Sequence, residues 1–198
     1  MYSVREIEPR VHRQGVEETR GERLRRLAGE NTPAVCNYLR HRLYPLANAD
    51  LDDLLEEVLI VAWKRLDDVP PGDELPWMIN VARNVLSNAK RSRRRRSKME
   101  ASLRLLPAHP SAEMWVLASS AVREAMEQLS EADRDILMMH NWDGLDVHGV
   151  AVALSISDRA ADSRLSRARI RFRAAFHSHE SNESVPPADQ SAHLKEGS

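Results

Sequence analysis

Apolar residues recur along most of this chain at helical spacing. From Leu54 to Leu66, the positions Leu54, Leu55, Val58, Leu59, Ala62, Trp63 and Leu66 form one broad helical stripe. Asp50 is a suitable N-cap, and Asp52 and Asp53 suit the positive end of the helix dipole. The run Asp67-Asp68-Val69-Pro70-Pro71-Gly72-Asp73 then predicts a loop, since two prolines and a glycine cannot continue a helix. A second stripe, Met78, Val81, Ala82, Val85, Leu86 and Ala89, starts just after Pro76, which fits a first helical turn. It runs into Lys90-Arg91-Ser92-Arg93-Arg94-Arg95-Arg96, where apolar residues stop and charge is expected to reach into solvent or onto an anion.

Upstream, Leu24, Leu27, Val35, Leu39 and Leu43 are interrupted by Pro33, which predicts two short helices, the second opening near Thr32. Residues 1–22 read as a loose arm, and residues 23–98 as a first helical domain. Residues 99–120, with Pro107 and Pro110, read as a flexible linker with a short helix near Met114 to Leu117. Residues 121–177 form a second helical domain, and residues 178–198 a polar, disordered tail. The expected fold is therefore all-α, with two small helical domains.

The second domain has the pattern of a helix-turn-helix. Ser130 and Asp133 have the spacing of a capping box and open a helix carrying Ile136, Leu137 and Met139. It stops near Asn141-Trp142-Asp143-Gly144. A short helix capped by Asp146 follows, with Val147, Val150, Ala151 and Leu154 facing inward. Ser155-Ile156-Ser157 makes a tight turn, with Ile156 buried and Ser157 capping the third helix. In that helix, roughly Asp158 to Phe176, the residues Ala161, Leu165, Ala168 and Phe172 make one apolar stripe. Arg159, Ser163, Arg164, Arg167 and Arg171 fall mostly on other faces. A helix held by its apolar stripe and presenting Arg and Ser outward can enter a major groove. Arginine supplies bidentate donors for guanine edges and charge for phosphate.

Composition narrows the picture. The chain has 198 residues, only 7 of them glycine, and 5% aromatics, which favours helix. The longest purely apolar run, Val58 to Trp63, is far short of the roughly 20 residues a membrane span needs. The charged start MYSVREIEPR lacks an apolar signal core, so a cytoplasmic protein without membrane insertion is expected. Cys36, the only cysteine, is expected to be a small buried hydrophobe. His140, His148, His177 and His179 have no metal-ligand spacing, so neither metal, cofactor nor catalytic residue is expected. The net charge of −1 hides segregation. Asp50 to Glu74 holds nine acids and two bases, Arg83 to Lys98 eight bases and no acid, and Arg159 to Arg173 six arginines against Asp162. Separate blocks of opposite sign imply separate surfaces for separate partners.

Several segments together resemble the extracytoplasmic-function (ECF, group IV) sigma factors. Asp50 to Val58 is similar to the family's "DAEDLVQEV", followed by its "AW" at Ala62-Trp63, and Pro76 to Asn84 to "AWLYRIARN". Gly144 to Ser157 is similar to "GLSYEEIAEALGIS", and Ser163 to Arg169 to "SRLHRAR". The resemblance covers roughly residues 23–98, as sigma region 2, and 121–176, as region 4. It implies a promoter-specificity subunit that binds core RNA polymerase and does no bond chemistry. Asp53, Glu56 and Glu57 would meet the clamp helices of the polymerase's largest subunit, with Leu54 and Val58 as packing. The flap of the second-largest subunit is a further expected partner. Val69, Asn80, Arg83, Asn84, Lys90, Arg91, Arg93 and Arg94 would hold the −10 element as single strand, where an extruded base needs a pocket and nearby positive charge. Arg159, Asp162, Ser163, Arg164, Arg167 and Arg169 would read the −35 element. The resemblance also implies control by an anti-sigma factor that occludes both surfaces.

Three positions depart from the pattern. Glu56 stands for the family's Gln, Val69 for a frequent Phe, and Asp162 for the Lys or Arg before Ser163. Asp162 would repel a phosphate but could accept from a cytosine amino group. Two other readings compete. A helix-turn-helix regulator that does not bind polymerase fits the acidic helix, Pro-Gly loop and basic helix poorly. An enzyme lacks a convincing constellation of histidines and acids.

Overall fold

The computed structural model describes residues 18–43, 46–99 and 120–183. The expected short helix from Met114 to Leu117 lies outside the described residues, as does most of the expected arm, linker and tail. Among the described residues there are seven α-helices and no strand. They are α1 (Arg20–Arg42), α2 (Asp50–Lys64), α3 (Glu74–Met99), α4 (Ser120–Glu127), α5 (Glu131–Asn141), α6 (Val147–Leu154) and α7 (Asp158–Glu183), with a 3-10 turn at Leu66–Asp68.

The first group is α1, α2 and α3, packed pairwise. Its opening is one continuous helix, not two. Thr19 and Glu22 form a reciprocal capping box that starts α1 inside the expected arm, and Pro33 lies within the helix. A proline in a helix interior costs ~3 kcal/mol. Leu27 precedes it, and Val35, Tyr38 and Leu39 follow, all buried in one core. Burial of such side chains stabilises by about 1.5–3 kcal/mol each, so packing outweighs the proline. Cys36 is half-buried, not a core residue, and its sulfur lies 3.6 Å from Arg40 Nη2. Asp50 is not the N-cap of α2. Ala49 is, without a side-chain bond, and the Asp50 carboxylate accepts from the Ala47 N–H at 2.8 Å.

The stripe on α3 is wider than the sequence pattern predicts. Met78, Val81, Ala82, Val85 and Leu86 are buried as expected, but so are Trp77 and Ile79 on its flanks. A helix buried beyond one stripe has more than one packing partner. Besides α1 and α2, α3 packs on α6 of the second group.

In the second group, α4, α5 and α6 pack on α7. Ser130 accepts from the Asp133 N–H at 3.1 Å and Asp146 from the Gly149 N–H at 2.7 Å, so both caps form. Ser155 ends α6 at φ 53°, and Ser157 accepts from the Ala160 N–H at 3.3 Å to start α7. Ala161, Leu165 and Ala168 are fully buried, while Phe172 and Ile156 are half-buried against the same core. Helix α7 continues to Glu183, so the first residues of the expected tail are helical. The buried residues of both groups form one contiguous cluster.

Candidate nucleic-acid interface

Helix α2 presents its acids as expected. Leu54 and Val58 turn into the core, and Asp53, Glu56 and Glu57 lie on the exposed side. Leu54 and Val58 therefore hold α2 in place and cannot themselves touch a partner. Ile60 and Trp63, each 43% exposed, continue the acidic face by steps of three and four. They are missing from the sequence-based set. Their signal was visible, since Ile60 adds an apolar residue to a face otherwise built of acids. Trp63 is partly covered by the Arg20 guanidinium, 5.1 Å from its ring centre.

The loop after α2 places Val69 differently from expectation. Val69 is only 4% exposed and does not project as a stacking residue. Instead it forms the floor of a cleft of about 300 Å³, lined also by Arg23, Arg26, Leu27, Pro71 and Glu74. Arg23 donates to the Val69 carbonyl at 3.2 Å, tying α1 to the loop. The two guanidinium groups on α1 were not picked out from sequence. Nothing in the local pattern shows that a helix some forty positions upstream lies beside this loop.

On α3, Asn80 and Arg83 lie opposite the core stripe, since successive residues rotate by about 100°. That face is partly covered, with Asn80 half-buried and Arg83 and Asn84 exposed. The Asn80 amide donates to the Ala153 carbonyl at 2.8 Å and to Ser155 Oγ at 2.9 Å, both at the end of α6. Asn84 donates to Asn80 Oδ1 at 3.1 Å. Arg83 stands 3.5 Å from Asp135 on α5. Lys90 is half-buried, and burial pulls its ammonium below its usual range although Glu131 and Asp135 oppose this. Arg91, Arg93 and Arg94 are exposed, on a helix that runs on to Met99.

All six expected residues of α7 are exposed, but they do not share one face. Arg159, Ser163 and Arg167 point away from the buried stripe, with Asp162 at the edge. Ile170, 62% exposed, joins this face. Arg171, on the side toward α5, is tied to Asp133 at 2.7 Å. The helical period places Arg164 on that same flank. Arg169 lies on the other flank. There it lines an apolar groove of about 620 Å³ with Val122, Met126, Leu137, Trp142 and Phe172.

His140 and His148 make structural contacts. His140 Nδ1 lies 2.8 Å from the Leu145 carbonyl. His148 bridges the two groups, with Nδ1 3.2 Å from Asp158 and Nε2 3.3 Å from Asp73. The two carboxylates raise its pKa above the usual value. Among the described residues, no group of three His, Cys, Asp or Glu could hold a metal ion, and no helix is long and apolar enough to cross a membrane.

Comparison with known proteins places both groups. The family model for Sigma-70 region 2 matches residues 27–96, and that for Sigma-70, region 4 matches residues 119–172. The chain is 29% identical over 147 residues to the RNA polymerase sigma factor NccH of Alcaligenes xylosoxydans xylosoxydans, covering 69% of this chain and 78% of that protein. It is 28% identical over 134 residues to the ECF RNA polymerase sigma factor EcfG of Rhodopseudomonas palustris (strain TIE-1), covering 66% and 74%. Its fold is similar to that of the sigma factor RpoE from Bartonella quintana, solved in complex with the anti-sigma factor NepR. The TM-score is 0.56 at 21% identity, over 77% of this chain and 96% of that one. With regions 2 and 4 matched in order on these helices, the chain belongs to the sigma-70 family, as an ECF-type sigma factor that binds core RNA polymerase and directs initiation at promoters through −35 and −10 elements.

Proposed function

We infer that four separate surfaces divide the work of this sigma factor. The face of α2 with Asp53, Glu56, Glu57 and Ile60 docks on the clamp helices of the largest polymerase subunit. The cleft floored by Val69, together with Asn80, Arg83, Asn84 and the basic end of α3, takes the opened −10 strand. Arg23 and Arg26 bring positive charge to the cleft, and Arg91, Arg93 and Arg94 extend it along the strand. The outward face of α7, Arg159, Ser163 and Arg167 with Asp162 at its edge, enters the major groove at −35. The apolar groove lined by Met126, Trp142 and Phe172 accepts a helix of the polymerase flap. Its shape and lining suit an amphipathic helix in a groove.

The observation that carries this reading is α7 itself. Its apolar stripe is fully buried at Ala161, Leu165 and Ala168, so Arg159, Ser163 and Arg167 are held outward on a rigid helix. The protein does no bond chemistry of its own and acts in the cytoplasm, on the nucleoid when joined to polymerase. An anti-sigma factor, like the NepR bound to RpoE, would act by covering these surfaces.

Transcription with purified core polymerase tests the assignment. The chain should produce promoter-specific transcripts that core polymerase alone does not. With about six Lys or Arg side chains on duplex phosphates, the log–log salt slope of promoter binding should be near −5. A slope near zero would remove the DNA-contact part of the reading.

A further inference from the structure

We propose that the free chain associates with copies of itself, the acidic face of α2 on one copy seating in the apolar groove between α4, α5 and α7 of the next. The inference goes beyond the sigma-factor reading and needs only these two surfaces. That reading enters in what the contact hides, since both surfaces are the ones assigned above to polymerase.

The first observation is the shape of the α2 face. Ile60 lies at its centre, Trp63 follows one turn on, and Asp53, Glu56 and Glu57 surround them, all exposed. Apolar anchors at helical spacing with a charged border are what a helix offers to a hydrophobic groove.

The second observation is the groove. Met126, Trp142, Phe172 and Phe176 line its apolar part, with the two phenyl rings 6.1 Å apart. Its volume of about 620 Å³ is large enough for an isoleucine and a tryptophan side chain together. Arg169 and Arg173 supply positive charge along it, and no acid lines it.

The third observation is that each surface lacks what the other carries. Asp53, Glu56 and Glu57 on one, and Arg169 and Arg173 on the other, form no ion pair or hydrogen bond with a described residue. Four large hydrophobic residues are exposed among the described residues, and Ile60, Trp63 and Trp142 of these lie on the two surfaces. Within one chain α2 packs on α1 and α3, not on the groove. An acidic helix with apolar anchors and a basic apolar groove are complementary, so pairing between unlike surfaces of two copies satisfies both.

Sedimentation of the full chain tests this. The average mass should rise above that of one chain between about 1 and 200 µM, as for a weak contact, and added salt should reduce it. Ile60→Asp removes the anchor, and Arg173→Glu reverses a charge of the groove. Each should raise the dissociation constant about tenfold or more. Both positions are exposed, so each variant should melt with the wild type. Mixing the two variants should restore a dimer, because the first keeps an intact groove and the second an intact α2 face. A wild-type chain that stays monomeric throughout would overturn the proposal, and is the outcome if the groove is kept for polymerase or filled by another segment of its own chain. Association that neither variant weakens, or a mixture that stays monomeric, would overturn it as well. Failure of the sigma-factor reading looks different: the chain would associate as described yet give no promoter-specific transcript with core polymerase.

Discussion

The guanidinium of Arg42, at the last residue of α1, donates to the carboxylate of Asp135 on α5, 93 positions away in sequence. Asp143 completes the site, with Oδ2 2.8 Å from Arg42 Nη2, and the Tyr38 ring lies 4.0 Å beneath the guanidinium. Burial works against the charge on Arg42, but Asp135, Tyr38 and Asp143 outweigh it and hold the group protonated. Asp143, with a side chain 3% exposed, has its carboxyl raised by burial despite Arg42. One buried cation therefore joins the two halves of the molecule.

Arg42→Met keeps much of the side-chain volume but takes the buried guanidinium away from Asp143 and leaves Asp135 facing the more exposed Arg83. Breaking a buried pair by removing one partner costs about 3–5 kcal/mol. Separation of the halves lets water reach the acids, so the measured loss should fall at or below that range. The expected result is urea unfolding in two steps, with region 4 released first. A single transition at the wild-type midpoint would contradict the assignment of Arg42 as the link.

The α2 surface should separate polymerase binding from DNA binding. Glu57→Lys reverses an exposed charge without touching the core. Affinity for core polymerase should fall about tenfold or more, with thermal stability within ~0.5 kcal/mol of wild type. Ile60→Asp should act in the same direction. Both are read by titration of core polymerase with the labelled chain.

On α7, exposure alone does not predict importance. Arg167→Ala should weaken promoter binding by about 1–3 kcal/mol and relax specificity at one position of the −35 element. Arg171→Ala removes the bond to Asp133, a partly exposed pair worth ~1 kcal/mol or less, and should leave promoter choice unchanged. Asp162→Lys should steepen the salt slope by about one and shift which promoters are used. Competition between promoter variants on the holoenzyme distinguishes these outcomes.

His148 should make the contact between the two helical groups sensitive to pH. Its pKa is raised by the hydrogen bonds and charges of Asp158 on α7 and Asp73 before α3, the groups that face it from either side. The contribution is fully present below the unfolded value of about 6.5 and is lost as pH rises through the raised folded value. The stability of the contact between the two helical groups, read as the urea midpoint, should be higher near pH 6 than near pH 8. His148→Gln should flatten that dependence. A wild-type profile already flat across this range would remove His148 from the contact.

Much of this architecture is legible in the sequence because its signals are local. The stripes of α2 and α3, the Asp146 cap, the Ser155-Ile156-Ser157 turn and the spacing of Ala161, Leu165 and Ala168 each depend on residues within a few turns of one another. The charge blocks are local too, and they locate the acidic, basic and Arg-rich surfaces.

What the tertiary structure decided is which of these surfaces meet. Pro33 reads as a helix boundary from propensity, yet burial of Leu27, Val35, Tyr38 and Leu39 in a shared core carries α1 straight through it. Val69 reads as a loop residue in contact with the −10 strand, yet α1 lies against the loop and makes it the floor of a cleft. Nothing in the local pattern around Arg42, Asp135 or Asp143 links the three. Only the docking of two helical groups removes them from water together, and the free energy of a buried pair exists only once both partners are in place. Helical periodicity is a property of one segment. Docking is a property of two, and no pattern along either one records it.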